Sequence, residues 1–331
     1  MPSTFAFGGL ERSTAGFLAE TDTQGLLVLR DGRVVHEVYG PFASASAPWP
    51  CWSVTKTFVG ALIGIAIERG LIAGLHVAVS DLAPRLAGSG YDGVSLLDVI
   101  TMSSGTKWSE DYGDPNSETR RHGLELARGR SLDDFTASLP REWSPGALLR
   151  YNTCDTNVLG LVLREVTRRP LAEILGEWLW RPLGAESEAF FIVDREGAEW
   201  AGAGLLCTLR DRARLGLLLA GGGAWREHRL LSEAWVRSAT SPADEHLTCA
   251  RSSAAPFGYG YQCWLHGEAF TAIGIYNQYV WVDPSRRIVI AKMSANPSFA
   301  RGSGYSEAGY RDQEHMALFG EIAARLIHER P

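Results

Sequence analysis

Cys51-Trp52-Ser53-Val54-Thr55-Lys56-Thr57-Phe58-Val59-Gly60-Ala61-Leu62 is the stretch from which the rest of the chain can be read. A Ser-x-x-Lys step stands at the mouth of an apolar run that continues through Ile63, Ile65, Ala66 and Ile67. The run stops at Arg69-Gly70, a helix stop signal. It is apolar on almost every face, which places the helix in the interior rather than on the surface. Residues three apart share a helix face, with Cβ atoms roughly 5–6 Å apart, so Lys56 can reach the Ser53 hydroxyl. Unpaired backbone N–H groups at a helix start favour negative charge developing at such a serine. Burial makes a lysine shed its proton more easily and turns it into a usable base. The competing reading has Ser53 only capping the helix and Lys56 snorkelling to water.

Only three lysines, Lys56, Lys107 and Lys292, stand among the 32 basic residues. Arginine cannot be deprotonated in a protein and lysine can, so a lysine inside this helix of an arginine-rich chain asks for a reason. Ser104-Gly105-Thr106-Lys107 repeats the spacing. There Gly105 breaks the helix and no apolar run follows, so a turn is expected.

With 331 residues the chain buries one large core or splits into two lobes. The net charge of −6, with no clustered basic face, excludes nucleic acid as a partner. No apolar run reaches the roughly 18–20 residues of a membrane span. Met1 to Gly16 lacks a basic start followed by an apolar core, so a cytoplasmic protein without a membrane partner is expected. The five cysteines (51, 154, 207, 249 and 263) are scattered, with no Cys-x-x-Cys and no zinc spacing. Reduced, mostly buried thiols and no metal are expected.

Gly25 to Arg30 and Arg33 to Gly40 flank an Asp31-Gly32 turn, a strong hairpin signal. The middle reads as helices over 96–102, 131–138, 155–168, 171–180 and 211–219. Strands return over 259–265, 269–275, 278–282 and 287–293, and 314–329 closes as an amphipathic helix. Strands at both ends around a helical middle predict an α+β fold whose antiparallel sheet joins the two termini. The expected division is a sheet unit of residues 1–52 and 221–331, a mainly helical unit of residues 53–220, and an active site between them.

A serine nucleophile needs a base, a proton donor for the leaving group and an oxyanion hole. The Gly-x-Ser-x-Gly of an α/β-hydrolase is absent, and none of the eight histidines stands out. Trp143-Ser-Pro-Gly is a turn from which a short extended piece delivers Tyr151 and Asn152, after which Asp155 or Thr156 can cap the next helix. A lysine ammonium close to Tyr151 would depress its pKa and suit it to relay a proton; the alternative is a half-buried packing aromatic.

Ser53-x-x-Lys56, then Tyr151-Asn152-Thr153, then Ala272-Ile273-Gly274 on a late strand resemble the three motifs of the serine β-lactamase and penicillin-binding-protein superfamily. The finer resemblance is to its class C-like branch of family VIII-type carboxylesterases and 6-aminohexanoate-dimer (nylon oligomer) hydrolases. It extends to Leu97–Gly105, Trp108-Ser-Glu-Asp-Tyr112, Trp180-Arg-Pro-Leu-Gly184, Gly202-Ala-Gly204 with Arg210-Asp211, and Gly258–Trp264. The resemblance implies a β-lactamase/transpeptidase-like fold and a serine hydrolase without metal or organic cofactor. Ser53 would be acylated, Lys56 would be the base and Tyr151 the proton relay. The backbone N–H groups of Ser53 and Ile275 would form the oxyanion hole, with Tyr112, Asn152 and Gly274 contacting substrate. Two positions depart from the pattern. Thr153 stands where many relatives carry Asn, and Ala272 where the third motif begins with Lys or His. Loss of that cation removes the usual partner of a β-lactam carboxylate and leaves a small linear amide or ester as the expected substrate. The protein is expected to act as a monomer or homodimer. Rival readings are a non-catalytic binding or regulatory member of the fold and a D,D-peptidase.

Overall fold

The structure, a computed structural model, describes residues 1–242, 257–299 and 307–328. It opens with elements the sequence does not announce: a hairpin of β1 (Thr4–Phe7) and β2 (Leu10–Ser13), then helix α1 (Thr14–Glu20). The expected hairpin follows as β3 (Thr23–Arg30) and β4 (Arg33–Tyr39). Asp31 and Gly32 have φ of 51° and 74°, the two left-handed residues of a tight hairpin turn. Next come β5 (Trp49–Pro50), a 3-10 turn at Trp52–Val54, and α2 (Thr55–Glu68). From Thr55 to Ala66 every residue of α2 is buried, as its apolar circumference requires.

The middle carries α3 (Val79–Leu82), α4 (Leu96–Ile100), α5 (Glu118–Ala127), α6 (Leu132–Ala137), α7 (Thr153–Thr167) and α8 (Leu171–Leu175). Helix α5 is missing from the sequence reading because Glu118-Thr-Arg-Arg-His-Gly shows no apolar stripe; the Ser117 side chain caps it. The helix expected over 171–180 changes to a π-turn at Gly176–Trp180. Strands β6 (Phe190–Phe191) and β7 (Leu205–Cys207) join β5 in a small sheet of order β5-β7-β6. Then come α9 (Leu209–Ala220), the hairpin β8 (Ala224–Trp225) and β9 (His228–Arg229), and α10 (Glu233–Ala239).

The late strands are β10 (Gly258–Tyr259), β11 (Trp264–His266), β12 (Ala269–Gly274), β13 (Gln278–Asp283) and β14 (Ile288–Ser294), followed by α11 (Glu307–Tyr310) and α12 (Asp312–His328). The strand expected over 259–265 is two strands. Gly260 N donates to Cys263 O at 2.9 Å and Gln262 has φ of 61°, so the chain reverses within the run. All five late strands pair antiparallel in one sheet of order β10-β11-β12-β13-β14-β3-β4, which joins the two ends of the chain as predicted.

Both faces of this sheet are covered. Leu27, Leu29, Val280, Val282 and Val289 pack into one core with α2 and α9, while Leu26, Val28, Trp281 and Ile290 pack with α1 and α12. That explains why β13 and β14 are buried at every position instead of alternating. The four described cysteines are free and buried; Cys249 lies outside the described residues. Among the described residues no helix is long and apolar enough to cross a membrane.

Candidate active site

Ser53 sits in the 3-10 turn before α2, and its side chain caps nothing: the helix begins at Thr55 with Val54 at the cap position. Cys51 N donates to Leu205 O at 2.8 Å, which ties the turn to the small sheet. Trp52 is held at φ 47°, a left-handed conformation that a bulky residue adopts only where its surroundings impose it. One helical turn on, Lys56 is 1% exposed, so it does not snorkel. Its Nζ lies 2.9 Å from Ser53 Oγ, 2.6 Å from Gly202 O and 3.2 Å from Thr153 Oγ1. Burial pulls its pKa down to about 8, against an opposing pull from neighbouring acidic groups, Glu110 first.

Tyr151 reaches the same spot from the segment before α7. Its ring centre is 5.1 Å from Lys56 Nζ and it stacks on Trp264 at 4.9 Å. The expected depression of its pKa is not found. Burial, followed by the charge of Glu110, holds the phenol well above its ordinary value, so Tyr151 is a neutral donor.

The cap of α7 is Asn152, not Asp155 or Thr156: its Oδ1 accepts from Cys154 N at 2.8 Å. Its Nδ2 lies within hydrogen-bonding reach of Thr106 Oγ1, Asp155 Oδ1 and Tyr91 OH. At 1% exposure and fully engaged, Asn152 has nothing left for a substrate, which corrects its expected role. Asp155 is buried in the same network and accepts from Ser104 Oγ at 2.7 Å. Burial pushes its carboxyl up to about 8. Replacing Asn152 by Ala is expected to lower stability by about 2 kcal/mol, through a lost cap and stranded buried partners. The folded fraction should still label at Ser53; thermal unfolding beside active-serine titration checks both halves.

The second Ser-x-x-Lys starts no helix, but the expected turn is not there either: the segment is an extended connection in which Gly105 has φ of 76°, Thr106 bridges to Arg141 and Lys107 is exposed.

Strand β12 runs against the Ser53 turn. A Cβ on Gly274 would lie 2.5 Å from Cys51 O and 3.2 Å from Ser53 N, so only glycine allows this approach. Just beyond, Tyr276 and Asn277 have φ of 61° and 64°. Gln278 Nε2 holds this loop by donating to Tyr276 O, Ile275 O and Ser294 O. Neither Ser53 N nor Ile275 N donates to a backbone carbonyl among the described residues. Ala272 is buried in the core and puts no charge into the site.

These pieces line a cavity of about 450 Å³ with Ser53 and Tyr151 on its wall. Trp264 and Ile273 make it apolar inside, and Tyr112, Phe299 and Tyr310 stand around it. Tyr112 packs edge-on against Phe299 at 5.5 Å and donates to Glu110 Oε1 at 2.7 Å. Glu110, Asp111 and Asp312 bring three carboxylates to the cavity; its arginine, Arg150, is paired with Glu142. No group of three His, Cys, Asp or Glu converges as a metal site among the described residues.

Three residues at the site had no assigned role in the sequence reading. Gly202 offers its carbonyl to Lys56, Gln278 fixes the loop after β12, and Glu110 gathers the hydroxyls of Tyr112 and Thr153. Each reaches the site through tertiary packing, so local spacing gives no sign of it.

Residues 10–307 match the Beta-lactamase family model. The chain is 34% identical over 293 residues to the 6-aminohexanoate-dimer hydrolase of Paenarthrobacter ureafaciens, a match covering 85% of this chain and 74% of that one. Among solved structures, a Bacillus anthracis protein provisionally described as a 6-aminohexanoate-dimer hydrolase superposes with a TM-score of 0.86 at 23% identity. That superposition covers 99% of this chain and 86% of that one. EstCE1, a hydrolase with promiscuous acyltransferase activity, gives a TM-score of 0.68 at 17% identity, covering 85% and 91%. The three motifs, the fold that brings them together and a family match over most of the length agree, and the chain belongs to the beta-lactamase family.

Proposed function

We propose that this chain is a serine hydrolase that cleaves an amide or ester of a small linear substrate through an acyl-enzyme on Ser53. The observation that carries the reading is the 2.9 Å contact between the buried Lys56 Nζ and Ser53 Oγ on the wall of the cavity. Neutral Lys56 takes the Ser53 proton as Oγ bonds to the substrate carbonyl carbon. The oxyanion that forms is received by the Ser53 and Ile275 N–H groups, aimed before the reaction starts. Tyr151, held as a neutral phenol, gives its proton to the departing nitrogen or oxygen and regains one from the Lys56 ammonium. Water then attacks the acyl-enzyme by the reverse proton path.

The aromatic walls suit an extended, partly apolar chain, and the carboxylates of Asp111 and Asp312 suit a substrate that carries an amine. Both features agree with the chemistry named for the Paenarthrobacter relative, and we assign linear amides of that type as the first substrates to try. Ala272 offers no cation to a β-lactam carboxylate, which disfavours penicillins.

The test is mass spectrometry of the intact protein after p-nitrophenyl acetate or a serine-directed fluorophosphonate. A single adduct that maps to Ser53 and is missing from Ser53→Ala is expected. No adduct, or the same adduct in the variant, would overturn the reading in favour of a binding protein that keeps the pocket without turnover.

A further inference from the structure

Lys56 has no carboxylate in direct contact among its hydrogen-bond partners; its nearest arranged anion lies one hydroxyl away. Thr153 Oγ1 receives the lysine at 3.2 Å and donates to Glu110 Oε1 at 2.7 Å. Glu110 is surrounded by donors, since Tyr112 OH also bonds its Oε1 while Trp108 Nε1 and Thr153 N bond its Oε2. An ionised carboxylate only accepts, so the hydrogen of the Thr153 hydroxyl has one direction to point. That leaves an oxygen lone pair for Lys56. Gly202 O, 2.6 Å from Nζ on another side, likewise only accepts.

We propose that Glu110, acting through the Thr153 hydroxyl, is a positioning residue that aims the lone pair of neutral Lys56 at Ser53. The proposal rests on the acyl-enzyme reading above. A neutral amine has two hydrogens. With one spent on Gly202 O and the other on Thr153 Oγ1, its lone pair is left facing the third neighbour, Ser53 Oγ. When the Ser53 proton arrives, the new ammonium keeps both bonds, and its third hydrogen faces Oγ. No proton passes to Glu110 and no bond in the relay breaks. Thr153 therefore performs a task at the place where many relatives carry Asn.

The surroundings of Lys56 narrow what can set its charge. Cys154 and Asp155 face it from α7, His122 from α5, and Tyr151 from the segment before α7. Burial holds His122 neutral at neutral pH, with a pKa lowered to about 3, and keeps the thiol of Cys154 and the phenol of Tyr151 protonated. Asp155 is tied into the separate Asn152–Ser104 network. Glu110 is the anion with a hydrogen-bonded route to the amine.

Thr153→Val keeps the shape of the side chain, including the methyl that packs against Gly202, and removes only the relay. We expect the rate of Ser53 acylation by p-nitrophenyl acetate to fall about 100-fold, in the range of a misplaced general base. The unfolding midpoint should stay within a few degrees and Thr153→Ser should restore the rate to within about threefold, since its hydroxyl can occupy the same bonds. Glu110→Gln retains an acceptor for Thr153 but loses the charge, so the acidic limb of kcat/KM should move to lower pH by about one unit. Thr153→Val that acylates at the wild-type rate would overturn the proposal. So would Thr153→Ser that is as slow as the valine variant, or Glu110→Gln whose slower rate comes with an unmoved limb. Wild-type protein that takes no label at Ser53 would instead sink the acyl-enzyme reading itself, which separates the two failures.

Discussion

Lys56→Met is expected to lower acylation of Ser53 by about 10⁴-fold at pH 8, the upper end of what a general base contributes. Methionine fills the buried space and cannot accept a proton, so Ser53 must ionise unaided. The wild-type profile should carry an acidic limb near pH 8, where burial has placed the lysine, with kcat/KM falling tenfold per unit below it. That limb should be missing from the variant, and the difference between the two should shrink as the pH falls. A profile of kcat/KM against pH for an activated ester, taken for both proteins, checks the size and the shape together. A limb retained by Lys56→Met would assign the titration to another group.

The same substitution bears on stability, and its sign is set by linkage. The lysine titrates at about 8 folded against an ordinary 10.5, so the fold disfavours its charged form. Below pH 8 both states hold the proton and the full cost of about 3 kcal/mol applies; it disappears as the pH rises to 10.5. Met removes that cost and forfeits the hydrogen bonds of Nζ, each worth about 1 kcal/mol net. The unfolding midpoint of Lys56→Met at pH 7 should therefore not fall, although activity collapses. A catalytic lysine held at a cost to the fold behaves this way; a lysine recruited for stability would not.

How far the sequence carries is clearest at the pair Ser53 and Lys56. Their spacing along one helix turn and the apolar run behind them are local facts, and burial of the lysine follows from them. The sheet joining the two ends of the chain was equally legible, because β3 with β4 and β12 to β14 announce themselves by β-branched and aromatic runs between turn residues. What the sequence hides is how partners are shared. Asn152 looks available for substrate until Thr106, Asp155 and Cys154 are seen to occupy both ends of its amide. The direction of the Tyr151 shift depends on burial and on Glu110 outweighing its other neighbours, a balance that no spacing reveals. Gly260 to Cys263 reads as part of a strand because its neighbours are aromatic, yet Gln262 turns the chain there. Thr153 is the sharpest instance. By the motif it is a departure, and in the fold its hydroxyl stands between the lysine and Glu110.

Gly274→Ala should be nearly as damaging as loss of a whole oxyanion donor, lowering kcat/KM by about 10²–10³-fold. The added methyl would meet the Cys51 carbonyl at 2.5 Å, and a backbone oxygen cannot swing aside as a flexible side chain would. Either β12 or the Ser53 turn must give. The turn is fastened by Cys51 N on Leu205 O, and the loop beyond the strand by Gln278 on three carbonyls, so relief in either place separates Ser53 N from Ile275 N. The cost to stability should stay in the range of an overpacked core, about 1–3 kcal/mol, leaving a folded protein to assay. Gly320→Ala in α12 is the control: beyond its chain neighbours and its own helix backbone, no described atom lies within 4 Å of the new methyl, and activity should be unchanged. Active-site titration separates the mechanisms. A folded Gly274→Ala that still takes up a fluorophosphonate, but slowly, has lost stabilisation of developing charge. One that reacts at the wild-type rate would show that the approach of β12 to Ser53 carries no part of the oxyanion site.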